Sequence, residues 1–413
     1  MPAYTPSYTF TIDGTEYTDQ VLENATITSG RTDIFTDTLT GYASIELIVT
    51  DDIIPAFELK DSVNVKVTDS SGSDVDLFTG EISAINKSLA GAGAFGTAPS
   101  ISIQAVGSLA KLVRSFVGVD SYPSELDGER IERILTEALF TQWQDVPNTI
   151  TWADVSATQE WADYGVQGID VIDDGRYDLL ARSAEVVNAF DLATDTARDG
   201  IGYLYETPEG NIGYAGAERR TSNFGSNQID LDGDLLNASA VQTRVSSSDI
   251  VNDVYLTYGD PEASIEATNP QSIEDYGLIA QQVTTQLEDN TQAEEQAVRL
   301  VTLRGTPLES FDVVSINLSH PDLSNELRDQ LLDVSMDTLI KITNLPSGFI
   351  IGNEFEGFVE GWTWFLAKGS LEIEAQVSNS IYSAFEVQWE DYNPVTQWQN
   401  LSNTLQWNDL AIG

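Results

Sequence analysis

The sequence predicts a mainly β protein with α insertions (α+β), built as two antiparallel β-barrel domains with helix-containing inserts. Three observations lead there. Short runs in which apolar and polar side chains alternate recur in both halves of the chain, turn residues separate these runs at short intervals, and helical periodicity is confined to a few stretches.

Residues 7–17 read as two strands around Asp13-Gly14, a dipeptide that supplies the positive φ of a tight hairpin. Period-two alternation continues through Ala25–Ile27, Ala43–Val49, Val63–Val67, Leu77–Ile82 and Ile101–Val106, with a turn at Ser70–Ser73. Such closely spaced strands predict a first small barrel over residues 1–116. The glycine-rich break at 89–96 lacks the Gly-Lys-Ser/Thr ending of a phosphate loop, so Gly91, Gly93 and Phe95 are expected at a mobile or partner-contacting hairpin tip.

From residue 127 the period changes. Ile131, Ile134, Leu135, Ala138 and Leu139 share one helical face, and Asp127 and Glu129 stand where a helix start favours negative charge. A second helix is expected from about Tyr177 to Leu192. Tyr203, Tyr205 and Tyr214 then flank a turn at Pro208–Asn211, as a hairpin with its aromatic residues on one face. These elements form an insert domain over 117–235. Strands resume at 238–244 and 252–258, and the pattern Thr291-x-x-Glu294 predicts a capping box opening a helix that turns Ala293, Ala297, Leu300 and Val301 inward. Strands at 312–318, 338–343, 356–365 and 370–377 complete a second barrel with a helical insertion over 236–380, before a Trp-rich tail from 381 to 413.

The formal net charge is −47, from 66 acidic against 19 basic residues, so nucleic acid meeting this surface is repelled and specific binding of it is excluded. Cysteine is absent, which removes thiolate nucleophiles and thiolate metal sites, and the one histidine, His320, cannot build a multi-histidine site. Asp230-Leu231-Asp232-Gly233-Asp234 opens like a calcium loop, but Leu235 and Val241 occupy the positions that need Gly and Glu. The acid pairs Asp51-Asp52 and Asp173-Asp174 read as solvated charge. No catalytic, cofactor-binding or metal-binding residue is assigned, and the expectation is a non-enzyme without cofactors. Neither a secretion signal nor a membrane anchor is expected.

Six of the eight tryptophans form two triplets with a nine-residue stride: Trp143, Trp152 and Trp161, then Trp389, Trp398 and Trp407. Each is followed two residues later by Asp or Asn. A nine-residue stride holds no common face on a helix or strand, so the motif suits short turn-containing segments pinned by an aromatic anchor. The other reading is a stacking platform for glycans or a partner chain.

Several segments resemble, in order, minor tail proteins of long-tailed bacteriophages, the tail-tip or baseplate hub family. They are Gly30-Arg31-Thr32-Asp33, Leu39–Ile45, Val63–Val67, Leu77–Ile82 and Ala105–Leu112, followed by Ile250–Val254, Ser272–Gly277 and Phe358-Val359-Glu360-Gly361-Trp362. The resemblance covers about residues 25–380. It implies two tail-tube-like barrels per chain and a homotrimeric ring joining a sixfold tail tube to a threefold tip at the distal end of the virion tail. Implied partners are further copies of the chain, the distal tail or tail-tube protein, tip, spike or fibre proteins and the tape measure protein. A ring that lets DNA pass at ejection also gives the acidity a use. A tail protein that binds host-surface glycans through its Trp repeats is the alternative.

Overall fold

A computed structural model describes residues 4–18, 22–48, 56–93, 96–139, 168–222, 226–236, 241–350 and 353–383. The first seven strands are β1 (Tyr8–Ile12), β2 (Thr15–Thr18), β3 (Leu22–Gly30), β4 (Tyr42–Ile48), β5 (Ser62–Thr68), β6 (Asp74–Gly93) and β7 (Gly96–Val106). Asp13 and Gly14 take the positive φ that the β1–β2 turn requires. The alternation does what it predicts: Val63, Val65 and Val67 are buried while the residues between them are not, and Val65 faces Phe10 across the β1–β5 pair. All pairs in this half are antiparallel, in the order β3-β4-β7-β6-β5-β1-β2.

Between the two strand-rich halves come α1 (Leu109–Val113), β8 (Phe116–Val117), β9 (Glu125–Leu126), α2 (Asp127–Leu139), β10 (Ile169–Ile172), β11 (Asp178–Leu179), β12 (Val187–Asn188), α3 (Ala189–Asp199), β13 (Tyr203–Glu206), β14 (Ile212–Ala215) and α4 (Arg219–Ser222). Helix α2 buries the expected Ile131, Ile134, Leu135 and Ala138. The helix expected over 177–192 is not there. Asp178 and Leu179 pair with β9 instead, and helix begins only at Ala189, where the Asn188 side chain accepts from the Phe190 and Asp191 amides. Nor do the three tyrosines share a face. Tyr214 lies opposite Leu204 in the β13–β14 register and joins the insert core, whereas Tyr203 sits on the other face, in the main core.

The remaining elements are β15 (Gln228–Asp232), β16 (Gln242–Arg244), β17 (Asp253–Tyr258), β18 (Ala263–Thr268), α5 (Pro270–Tyr276), β19 (Ala280–Thr284), α6 (Asn290–Leu303), β20 (Ser310–Asn317), α7 (Asn325–Leu332), β21 (Leu339–Thr343), β22 (Phe355–Ala367) and β23 (Ser370–Asn379). Helix α6 is capped by Asp289, which accepts from the Thr291 and Gln292 amides, in place of the expected capping box at Thr291. A carboxylate two residues upstream starts the helix earlier and takes the Thr291 amide that the Glu294 arm of that box would have bonded. Ala293, Ala297 and Val301 of α6 pack on the separate three-stranded sheet β18-β17-β19.

The two strand-rich halves are joined in one sheet. Strand β22 pairs with β23 on one side and with β3 on the other, from Gly361↔Gly30 to Ala367↔Asn24, which links β16-β20-β23-β22 to the first half in a 13-stranded sheet. Trp362 and Trp364 lie buried on this central strand. Beyond the reach of β4 and β5, strands β6 and β7 continue as a two-stranded ribbon whose pairing runs to Gly93↔Gly96.

Candidate functional site: a buried ion cluster at the junction

Where β3 ends against β22, two glycines let the backbones approach. A Cβ on Gly30, whose φ is +85°, would meet the Glu360 carbonyl oxygen at 2.5 Å, and one on Gly361 would meet the Arg31 carbonyl oxygen at 2.4 Å. A register shift in β22 between Val359 and Gly361 accompanies the contact and leaves Glu360 wholly buried beside Arg31. Arg31 Nε donates to Glu360 Oε2 at 2.7 Å.

The second cation comes from the insert. Arg220, on α4, donates to both Glu360 oxygens at 2.7 and 3.0 Å, to the Met336 carbonyl at 2.6 Å, to the Val359 carbonyl and to Ser383 Oγ. The Tyr203 ring contacts both guanidinium groups, at 5.0 Å from Arg31 and 4.9 Å from Arg220, and Phe358 also contacts Arg220. Arg31 is 8% exposed, Arg220 3% and Glu360 0%. Burial drives the Glu360 carboxyl upward, yet the attraction and hydrogen bonds of Arg220 and Arg31 outweigh it and hold the group below its ordinary range. The cluster therefore carries two cations on one anion.

Three further carboxylates, Asp127 and Asp199 buried and Glu206 half-buried, fasten neighbouring seams. Glu206, at the end of β13, accepts from the Gly41 amide at 2.6 Å and from the Leu109 amide, so the insert hairpin is clamped to the rim of the first half. Side chains at Gly41 or Gly107 would collide with it, at 2.7 and 2.6 Å. Asp127 accepts from the Arg176 and Tyr177 amides, each at 2.8 Å, and from the Tyr214 hydroxyl at 2.5 Å. Asp199 accepts from the Gln286 amide at 3.0 Å, tying α3 to the segment after β19. Burial raises all three, Asp199 to about 7, with the donated amides opposing the rise.

These groups are locked in hydrogen bonds and hold chain to chain; what they provide is rigidity at the joints. Other acids singled out by sequence are also structural. Asp173 pairs with Arg219 in two hydrogen bonds of 2.7 Å, and Asp232 caps a short turn and bonds Asn344. His320 Nδ1 accepts from the Asp322 amide in its own turn.

Of the sequence-expected interaction residues, Gly91 and Gly93 belong to the projecting β6–β7 ribbon. Phe95, Trp143, Trp152, Trp161, Trp389, Trp398 and Trp407 lie outside the described residues, as do Asp51 and Asp52. Arg31 and Glu360 stood in two of the resemblance segments without an assigned role, and Arg220 went unnoticed. The available signal was a charged residue flanking glycine in each segment, Gly30-Arg31 and Glu360-Gly361, in a chain with few cations.

No protein-family model matches the chain, and no curated protein matches it. Solved structures share its fold. The 43 kDa tail protein of prophage MuSo2 from Shewanella oneidensis superposes with a TM-score of 0.56 at 13% identity, over 91% of this chain and 99% of the other. A tail protein from Neisseria meningitidis gives 0.60 at 10% identity, over 92% and 98%. The chain thus has the fold of phage tail proteins across nearly its whole length.

Proposed function

We propose that the protein is a structural component of a phage tail, a tip or baseplate hub that forms a homotrimeric ring between the sixfold tail tube and the threefold tip. The observation that supports this most directly is the fold likeness to two tail proteins over almost the full length of both chains. The joints agree with it. A hub transmits load between rings, and here two strand-rich halves share one sheet and are fastened by a buried ion cluster. In this reading residues 1–116 and 236–380 supply the two tube-like domains, 117–235 packs outside them, and the β6–β7 ribbon reaches toward the neighbouring tail-tube protein. The outer edges β2 and β16 are the strands through which copies adjoin. Net charge of −47 lets DNA slide through the ring at ejection without adhering.

Cryo-EM of the assembled tail tests the proposal. Threefold density for this chain at the distal end of the tube is the expected result, with acidic side chains along the lumen. Its location on fibres at the tail periphery, or a lumen dominated by Lys and Arg, would overturn the hub reading.

A further inference from the structure

The small sheet under α6 ends in an open strand edge. Its order is β18-β17-β19, so β18 pairs on one side only. In the antiparallel register Asp253 faces Thr268, and at the next pair along, the Asn269 amide donates to the Asn252 carbonyl. Bonded and non-bonded pairs alternate, which turns the N–H and C=O groups of Ser264, Glu266 and Thr268 away from β17 and toward the free edge. The β17–β18 register has no bulge, and β18 holds neither Lys nor Pro, the devices that ordinarily blunt an edge.

Beside this edge runs a groove of about 280 Å³. Ile265 and Ala267 of β18 stand on one side of it and Val298 and Val301 of α6 on the other, and no residue of β17 lines it, so it opens on the free side of the sheet. Val298 is 49% exposed although Val301, one turn on, is buried. Glu266 and Glu294 line the groove as well, both exposed, and no Lys or Arg does. Among the described residues neither acid stands in a salt bridge; α6 reaches Arg176 through Glu295 instead.

We infer that β18 receives an extended segment of another protein, which adds to the sheet as a further strand, sets an apolar side chain against Val298 and Ile265, and brings Lys or Arg to Glu266 and Glu294. The outward backbone groups call for an extended chain, the groove for an apolar side chain at alternate positions, and the two carboxylates for basic residues around it. A second copy of this chain does not supply such a strand. Pairing β18 with its twin would set Glu266 among acids, and the edge strands β2, β10, β13, β16 and β19 hold one base between them, Arg244, which is already paired with Asp33. Docking at β18 leaves β2 and β16 available, so it is compatible with a ring closed through those edges.

The full chain is titrated at near-physiological salt with the peptide acetyl-Lys-Val-Lys-Val-Lys-Val-amide, and with the same peptide N-methylated throughout, which keeps charge and side chains but removes every amide donor. Hydrogen exchange over residues 262–269 reads the edge. The unmodified peptide should saturate and slow exchange of the Ser264, Glu266 and Thr268 amides about tenfold or more, and the methylated one should not. Val298→Lys and Glu294→Lys, both at exposed positions, should each weaken binding about tenfold, with circular dichroism melts confirming that the variants are folded. Equal binding of the two peptides would mean general attraction to a chain of net charge −47 and would overturn the inference. So would a lack of protection at millimolar peptide, protection at β2 or β16 in place of β18, or undiminished binding by both folded variants.

Discussion

Replacing Glu360 by Gln keeps the shape of the side chain and removes the one anion between Arg31 and Arg220. Two guanidinium groups, 8% and 3% exposed, are then left in the interior without compensation. Removing one partner of a buried ion pair costs about 3–5 kcal/mol, since the remaining charge keeps its desolvation penalty. For a chain of this length, unfolding as one unit with about 2 cal/mol/K of entropy per residue, that loss lowers the melting temperature by about 4–6 °C. Calorimetry of the purified protein reads it directly.

Two further measurements separate charge from packing. Glu360 has a depressed folded pKa, so its contribution is present above the unfolded value of 4.5 and is lost as pH falls through the folded value. The gap between wild type and Glu360→Gln should therefore be full at pH 7 and close in acid. Arg31→Met should be milder in the Glu360→Gln background than in the wild type, because the side-chain hydrogen bond of Arg31 goes to Glu360. A melting shift under about 1 °C at pH 7, well below the cost of breaking a buried ion pair, would refute the account of the junction.

Gly361→Ala places a methyl group 2.4 Å from the Arg31 carbonyl oxygen and 2.8 Å from that of Ser29, both backbone atoms. It should cost more than about 1 kcal/mol by denaturant titration. Asp199→Asn removes a carboxyl whose pKa burial lifts from 3.8 to about 7. The stability this group gives the wild type is complete below pH 4 and lost as pH rises to 7, so the variant should gain on the wild type over that interval, by up to about 4 kcal/mol, in melts at pH 4 and pH 8. Deleting residues 90–97 shortens the projecting ribbon and should move the melting temperature by less than about 1 °C while weakening incorporation into tails, scored by co-sedimentation. A large stability loss on that deletion would make the ribbon part of the fold's own support.

The strands were legible because their faces differ. Val63, Val65 and Val67, or Ala43, Ile45 and Leu47, alternate with exposed or half-buried residues, and the structure buries them as the period requires. Helix α2 was legible for the same reason at a different period. Where the reading erred, a local competitor decided. Asp178 and Leu179 pair with β9 in a two-residue bridge too short to leave a pattern, and Asp289 caps the helix two residues before Thr291, taking the Thr291 and Gln292 amides. The site was least legible. Arg31 and Glu360 are 329 residues apart, and nothing in the period of β3 or β22 states that these strands are neighbours. Helix α4, which brings Arg220 to them, spans only four residues, too few to display any periodicity.

The placement of the arginines connects the interior to the charge of the whole. Besides Arg31 and Arg220 on Glu360, Arg130 is buried on Glu125, with which the exposed Arg133 also pairs, and donates to the Pro123 and Leu180 carbonyls. Arg328 is buried too, bonding the Leu318 and Leu323 carbonyls and lying 4.5 Å from the centre of the Tyr4 ring. In each case a rigid guanidinium reaches several acceptors from different segments at once, which a lysine ammonium cannot do with the same planar fork. Two consequences follow from one choice. Carbonyl groups at irregular joints gain guanidinium donors, and cations drawn from a pool of only 19 are kept away from the surface. A protein with few bases that turns several of them inward presents an exterior more uniformly acidic than its composition alone requires. That exterior is the property a nucleic acid passing close by would meet.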